Sequence, residues 1–397
     1  MVDAQNRGIV ALIRSAITGE SCDIPAGFDL KSAIETAKSH QVVNMLYYGA
    51  VNCGIPQSFK EMQELFISSC TVMAVSEAQM FDINKVFKAF DENGIEYMPM
   101  KGVLLKSIYP KSDMRTMSDA DILIKLEQYD KIKPLVAELG FTELKETDHE
   151  LIWRKSKLHL ELHKHMIATY NKDFYAYFGD GWRLAHPTKD QPNRYEMSPE
   201  DQYIYLFTHL AKHYRGAGIG IKHMTDLWVY RLANPNLNEK YIEKELRQLK
   251  LLEFYENVRL TLEVWFGNGK PTDKTDFITD VIIKSGAYGT FDAHIAAMTL
   301  RGSKTAGNVK KARTKELLNM FFLPLNHMRT KYKILNKLPF LLPVMWIVRA
   351  VKTVLFDLYK IKRMGKTMKL MSEENVDQYQ LSLNYVGLDY NFGEKSE

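Results

Sequence analysis

Two aspartates one residue apart, Asp119 and Asp121, stand in the run Ser118-Asp119-Ala120-Asp121-Ile122-Leu123-Ile124. The alternation predicts a strand, on which residues i and i+2 face the same side. Two carboxylates so placed, about 6–7 Å apart, repel each other unless a cation lies between them. A hard divalent ion such as Mg²⁺, or Mn²⁺ in its place, takes carboxylate and phosphate oxygens together. A pair of such ions can clamp the attacking and leaving oxygens of a phosphoryl displacement. A third carboxylate is available in His159-Leu160-Glu161-Leu162-His163, a second alternating run that sets Glu161 opposite its leucine neighbours. If the two strands pair, Glu161 completes a three-acid metal site. His163 shares its face and suits a proton carrier or a support for a ligand. The histidines at 159, 163 and 165 also allow a transition-metal reading, without cysteine or HExxH spacing to favour it.

Upstream, Lys101-Gly102 falls where a strand is expected to turn into a helix. Glycine lets backbone N–H groups approach phosphate oxygens, and a helix start favours negative charge. Lys101 and Arg115 could neutralise phosphate charge there, or be ordinary surface charges.

The elements needed to hold these residues can be read from periodicity. Residues 29–50 and 58–91 have helical spacing, and Asn93-Gly94 marks a turn. Strands are expected over 95–100, 119–124, 151–154 and 157–165, with a short helix at 104–109 and a longer one over 127–139 stopped by Gly140. Helices resume after Ser198-Pro199, an N-cap followed by a first-turn proline, and continue to about 298. The fold class is therefore α+β: a small mixed-sheet core flanked by N- and C-terminal helical regions. The expected divisions are an N-terminal helical region (1–91), the core (92–190), a helical domain (191–300), a polar linker (301–315), and basic amphipathic helices with a loosely held tail after Ser372 (316–397).

This order of motifs resembles the DNA polymerase beta-like nucleotidyltransferase superfamily, and within it an uncharacterised bacterial nucleotidyltransferase family of the NTP-transferase 5 type. The resemblance rests on Lys101-Gly102, Tyr109-Pro110, Arg115, Asp119-Ala-Asp121-Ile-Leu-Ile and Leu160-Glu161-Leu162-His163. It extends to His209-Leu-Ala-Lys212-His213 and Gly218-Ile-Gly220-Ile-Lys222-His223-Met-Thr-Asp226 in the helical part. It implies transfer of a nucleoside monophosphate from an NTP, expected to be ATP, to an acceptor it does not identify. Asp119, Asp121 and Glu161 would be catalytic and hold Mg²⁺ or Mn²⁺; Lys101, Gly102 and Arg115 would meet the nucleotide; His163, Lys212, His213 and Asp226 are substrate-side candidates. Val103 after Gly102 departs from the superfamily's usual Gly-Ser or Gly-Gly. That departure leaves room for an alternative, a catalytically retired nucleotide-binding scaffold at a membrane-proximal assembly.

Of the 397 residues, 46% are hydrophobic and 25% charged, which supports a sizeable core. The net charge of +5 is local: residues 331–369 hold ten Lys or Arg against Asp357 alone, leaving the remainder at −4. That basic segment, with aromatic residues among its charges, is expected to suit an anionic membrane surface; it lacks a nucleic-acid recognition signature. The apolar run Leu338–Val348 is too short to span a bilayer, which needs roughly 20 apolar residues. Three cysteines without a CxxC pair and an N-terminus without an apolar signal run lead to the expectation of a cytoplasmic protein, peripheral to the inner face of the membrane if the basic segment binds there.

Overall fold

The computed structural model describes residues 3–306, 308–356 and 358–389. The architecture is α+β, a mixed five-stranded sheet and a two-stranded hairpin flanked by helices on either side in sequence. The described residues divide into two compact units. The first comprises residues 3–212 and 219–288; the second comprises residues 213–218, 289–306, 308–356 and 358–389.

In the first unit, β1 (Tyr97–Pro99), β2 (Asp119–Ile124), β3 (Thr142–Glu146), β4 (Glu150–Lys155) and β5 (Leu158–His163) form a sheet in the order β1-β2-β5-β4-β3. Its neighbours run antiparallel except β2 and β5, which are parallel. A parallel pair needs a crossover connection. Here the helix Tyr129–Glu138 and the β3–β4 hairpin supply it. The β4–β5 link is only Ser156-Lys157, and Ser156 takes φ +52°, as a two-residue hairpin turn demands.

One sheet face is apolar. Ala120, Ile122 and Ile124 of β2 join Leu158, Leu160 and Leu162 of β5 and Leu151 and Trp153 of β4. They pack on Ile83, Val86 and Phe90 of the helix Lys60–Glu92 and on Ile132 and Val136 of Tyr129–Glu138. Side chains alternate along a strand, so burying this set sends Asp119, Asp121, Glu150, Glu161 and His163 to the other face. A one-residue slip in either strand would exchange acids for leucines in the core, which fixes the register strongly.

Several expectations change. Residues 29–50 form two helices, Leu30–His40 and Val43–Asn52, because Gln41 adopts a left-handed φ of +59° between them. The strand β3 and the hairpin β6 (Ala185–Pro187) and β7 (Tyr195–Met197) were not foreseen. β3, Thr-Glu-Leu-Lys-Glu, is a mostly exposed edge strand, and charge on an edge hides the strand pattern. The stretch 301–315 is no linker. The helix Phe291–Ala306 covers its start and Val309–Phe321 its end, and a Cβ on Gly302 would already lie 3.3 Å from the Ala312 Cβ. The glycine at 302 thus allows two helices to pack closely. Nor is the chain after Ser372 loose. The Ser372 hydroxyl caps the helix Glu373–Tyr385, and Val376, Leu383, Val386 and Leu388 are buried; residues 390–397 lie outside the described residues. The basic segment forms the helices Leu342–Phe356 and Leu358–Leu370. Among the described residues, no helix is long and apolar enough to cross a membrane.

Because Ile122 is fully buried between the sheet and both helices, Ile122→Ala is expected to cost about 2–5 kcal/mol of stability. Denaturant unfolding of the intact chain measures this, and wild-type stability in the variant would contradict the assignment of the apolar face.

Candidate active site

The polar face is assembled by strand register. In the parallel pair Asp119 stands opposite His159, Asp121 opposite Glu161 and Leu123 opposite His163. In the antiparallel pair beside it, Glu150 stands opposite His163 and Ile152 opposite Glu161. Asp121 and Glu161, forty residues apart in sequence, are therefore direct cross-strand neighbours. Asp121, Glu161 and His163 bring ligand atoms within 4.8 Å of one another. Asp119 lies on the same face two residues earlier, outside that compass.

Asp121 is the centre of the cluster and is 3% exposed. One of its oxygens, Oδ1, receives the Lys101 ammonium and, at 2.7 Å, His163 Nε2. A carboxylate only accepts, so His163 carries its proton on Nε2. Burial opposes charge on Asp121, but Lys101 and the His163 hydrogen bond outweigh it and hold the carboxyl well below its usual pKa. Burial likewise opposes charge on Lys101, and Asp121 more than compensates. For His163, burial is outweighed by its hydrogen bonds to Asp121 and Glu161, and its pKa rises. Asp119 shifts the other way, raised by burial and then by the charge of Asp121.

Lys101 reaches Asp121 through an uncommon backbone. Its φ is +47°, left-handed for a residue with a side chain. Such strain, of order 1–3 kcal/mol, persists where surrounding structure enforces it, commonly at functional sites. Met100 N donates to the Asp121 carbonyl at 3.0 Å and Lys101 follows directly, so the turn leaves the sheet at the carboxylate it must meet. Beside it, a Cβ on Gly102 would meet nothing nearer than the Met117 side chain at 3.4 Å. Packing within the protein does not demand glycine there.

The remaining candidates are distributed as follows. Arg115 is buried, its Nε donating to Asp226 Oδ1 at 2.6 Å, where Tyr109 also donates at 2.6 Å. This ion pair ties the loop before β2 to the helix Ile221–Ala233, which engages both Arg115 and Asp226 within the protein. Lys212 is half-buried and makes no hydrogen bond or ion pair among the described residues; burial, then the charge of Lys101, brings its pKa down to about 8. His213 is exposed and belongs to the second unit.

Three residues, Tyr205, His149 and Glu150, carried no reading in the sequence, and Lys222 was legible only as part of the helical motif with Asp226. Lys222 donates to Gln41 Oε1 at 2.9 Å, and burial followed by the charge of Arg115 lowers its pKa to about 8. Tyr205 is buried with an unpartnered hydroxyl and feels the charges of Lys101 and Asp121. His149 Nε2 lies 3.2 Å from His163 Nδ1, and Glu150 Oε2 lies 4.0 Å from the same nitrogen. Burial, then His163, pushes the His149 pKa down to about 3. The only sequence signal for this last pair was its position at the start of an alternating run.

Comparison with known proteins fits this arrangement. A family model described as an uncharacterised nucleotidyltransferase matches residues 26–267. The chain belongs to that family. The match takes in the sheet, all three acids, Lys101 and the Arg115–Asp226 pair. No curated protein matches the sequence. The solution structure of the antibiotic-resistance factor ANT(2'')-Ia is similar over 46% of this chain and 94% of that one, at 15% identity and a TM-score of 0.33. A likeness of that size carries no argument about chemistry.

The two shifted groups set a pH window. His163, raised above 6.5, contributes stability that is complete below pH 6.5 and lost as pH climbs through its elevated folded value. Asp121, depressed below 3.8, contributes above pH 3.8 and loses this as pH falls through its lowered value. Asp121→Asn leaves Lys101 without its buried partner and is expected to cost about 3–5 kcal/mol. The deficit against wild type should be greatest between pH 3.8 and 6.5. Unfolding measured across pH checks this; a deficit independent of pH would contradict the coupling.

Proposed function

We propose that the chain is a metal-dependent nucleotidyltransferase that moves a nucleoside monophosphate from an NTP, ATP in our reading, to a hydroxyl or phosphate acceptor. The observation that carries the proposal is the parallel β2–β5 register, which puts Asp121 beside Glu161 on one face of the sheet. The donor set fits a hard divalent cation, since Asp119, Asp121 and Glu161 offer carboxylate oxygens from one face of the sheet. Mg²⁺ bound by these three residues would neutralise phosphate charge and polarise the α-phosphate.

The chain's own residues would divide the remaining work. His163 donates Nε2–H to Asp121 and fixes the orientation of that carboxylate. Lys101, on release from Asp121, carries its charge to the phosphates. Gly102 leaves room for them beside the turn. Glu161, whose side chain is 20% exposed, faces the acceptor and takes its proton as the acceptor oxygen bonds to the α-phosphorus. The bond to the β-phosphate breaks and pyrophosphate leaves. Lys212, half-buried without a fixed partner, suits an anionic part of the acceptor or of the leaving group.

One observation favours a second reading, a nucleotide-binding protein without turnover. The Lys101 ammonium pairs directly with Asp121 and can satisfy that carboxylate by itself. Incubating the chain with Mg²⁺, α-labelled ATP and the small-molecule pool of its own cells separates the two. Label should move from ATP to another molecule with release of pyrophosphate, and Asp119→Asn, with unchanged circular dichroism, should slow this by about a hundredfold or more. Equal ATP binding by both proteins, with no pyrophosphate from either, would instead establish the second reading.

A further inference from the structure

We propose that His149, Glu150 and His163 form a separate metal site on the same sheet, selective for a transition-metal ion such as Zn²⁺. Three observations converge on it. The β4–β5 register sets Glu150 directly opposite His163, and His149 is the residue before it, held in place by its carbonyl, which accepts from Lys164 N at 2.9 Å. The two rings meet edge to face, 4.8 Å between centroids, with His149 Nε2 3.2 Å from His163 Nδ1. The candidate ligand atoms of all three residues lie within 4.8 Å of one another.

Those separations suit a small tetrahedral ion. Metal–nitrogen bonds of about 2.0–2.1 Å place two ligands of one ion roughly 3.3–3.4 Å apart. The histidine pair already has that spacing, and Glu150 Oε2, 4.0 Å from His163 Nδ1, has a short distance to close. The other nitrogen of His163 is fixed by Asp121 at 2.7 Å. A carboxylate that holds one imidazole nitrogen keeps the proton there and turns the opposite lone pair towards the metal. His149 can keep its own proton on Nδ1, which is buried without a partner, and turn Nε2 to the ion. Two imidazoles and one carboxylate favour a borderline ion over Mg²⁺, and three protein ligands leave a fourth position for water or substrate. The Glu150 side chain is 21% exposed, so the site has an edge open to solvent. This assignment shares the His163–Asp121 contact with the nucleotidyl-transfer reading but takes no ligand from Asp119, Asp121 or Glu161, so the cobalt test below reads the two separately.

Cobalt titration of the metal-free full-length chain tests it. One Co²⁺ per chain should give the strong visible bands of four-coordinate cobalt. Asp119→Asn should leave them unchanged, and His149→Ala should weaken binding by roughly tenfold or more. Glu150→Gln serves the same purpose should His149→Ala fail to fold. Absence of these bands in the wild type, or bands untouched by the substitutions at 149 and 150, would overturn the site whether or not the chain turns over ATP.

A different observation in the second unit supports another proposal. Phe340, Val344, Ile347 and Val351 recur at i, i+4, i+7 and i+11 leading into and along the helix Leu342–Phe356, and all four are exposed, Phe340 by 72% and Ile347 by 65%. Between Glu316 and Asp357 the sequence has six Lys or Arg and no acid. A second copy docked on this stripe would set basic flank against basic flank. An anionic bilayer surface offers an apolar interior for the stripe and negative charge for the exposed Lys331, Lys333, Lys337 and Lys352. We infer that the stripe lies on such a surface. The full chain should co-sediment with vesicles containing phosphatidylglycerol and remain free with phosphatidylcholine alone. Lys352→Glu and Ile347→Ser should each weaken binding by roughly fivefold or more. No binding to either vesicle, equal binding to both, or a dimer at sedimentation equilibrium would each refute it.

Discussion

Asp121 is a carboxylate with almost no access to water, and burial alone would cost it its charge. It stays ionised because two groups meet the same oxygen, the Lys101 ammonium and the His163 Nε2–H. Much of the first unit serves that meeting. The apolar face of the sheet fixes the register that brings His163 within reach. The backbone before Lys101 is pinned to Asp121 itself, and Lys101 accepts a left-handed conformation to complete the contact. Breaking any of these leaves a buried charge without its counterpart, which is more damaging than the loss of a surface pair.

Around this centre the other ionic groups are layered by burial. The Arg115–Asp226 pair is dry and holds the loop before β2 to a helix more than a hundred residues later. Lys106 anchors the same loop, its ammonium donating to Ser76 Oγ at 2.6 Å and to the carbonyls of Ser112 and Arg115. These contacts give the strand that carries the aspartates a rigid approach. Glu161, Glu150 and Lys212, by contrast, retain partial exposure, and chemistry with an external molecule requires groups of that kind.

The period-two alternation in 119–124 and 158–163 made the acids and their common orientation legible, because a strand with one buried face has few other ways to arrange such a sequence. Which acid stands beside which was not legible, since register depends on pairing across forty residues. Lys101 and Arg115 were visible as cations, but their targets were not, as Asp121 and Asp226 are twenty and 111 residues away. His149 and Glu150 escaped notice because their significance lies wholly in the cross-strand contact with His163. At the level of elements, β3 was masked by edge charge, and Gly302 looked like a linker residue although it serves close packing of two helices.

In the proposed nucleotidyltransferase, Asp121 would exchange the Lys101 ammonium for a divalent cation and Lys101 would meet a phosphate. A crystal structure of the chain with Mn²⁺ and a non-hydrolysable ATP analogue tests it directly. The expected result is anomalous density for manganese touching Asp119, Asp121 and Glu161, with the Lys101 ammonium moved from Asp121 to a phosphate. Manganese bound elsewhere, or a nucleotide bound while Lys101 stays on Asp121, would contradict it.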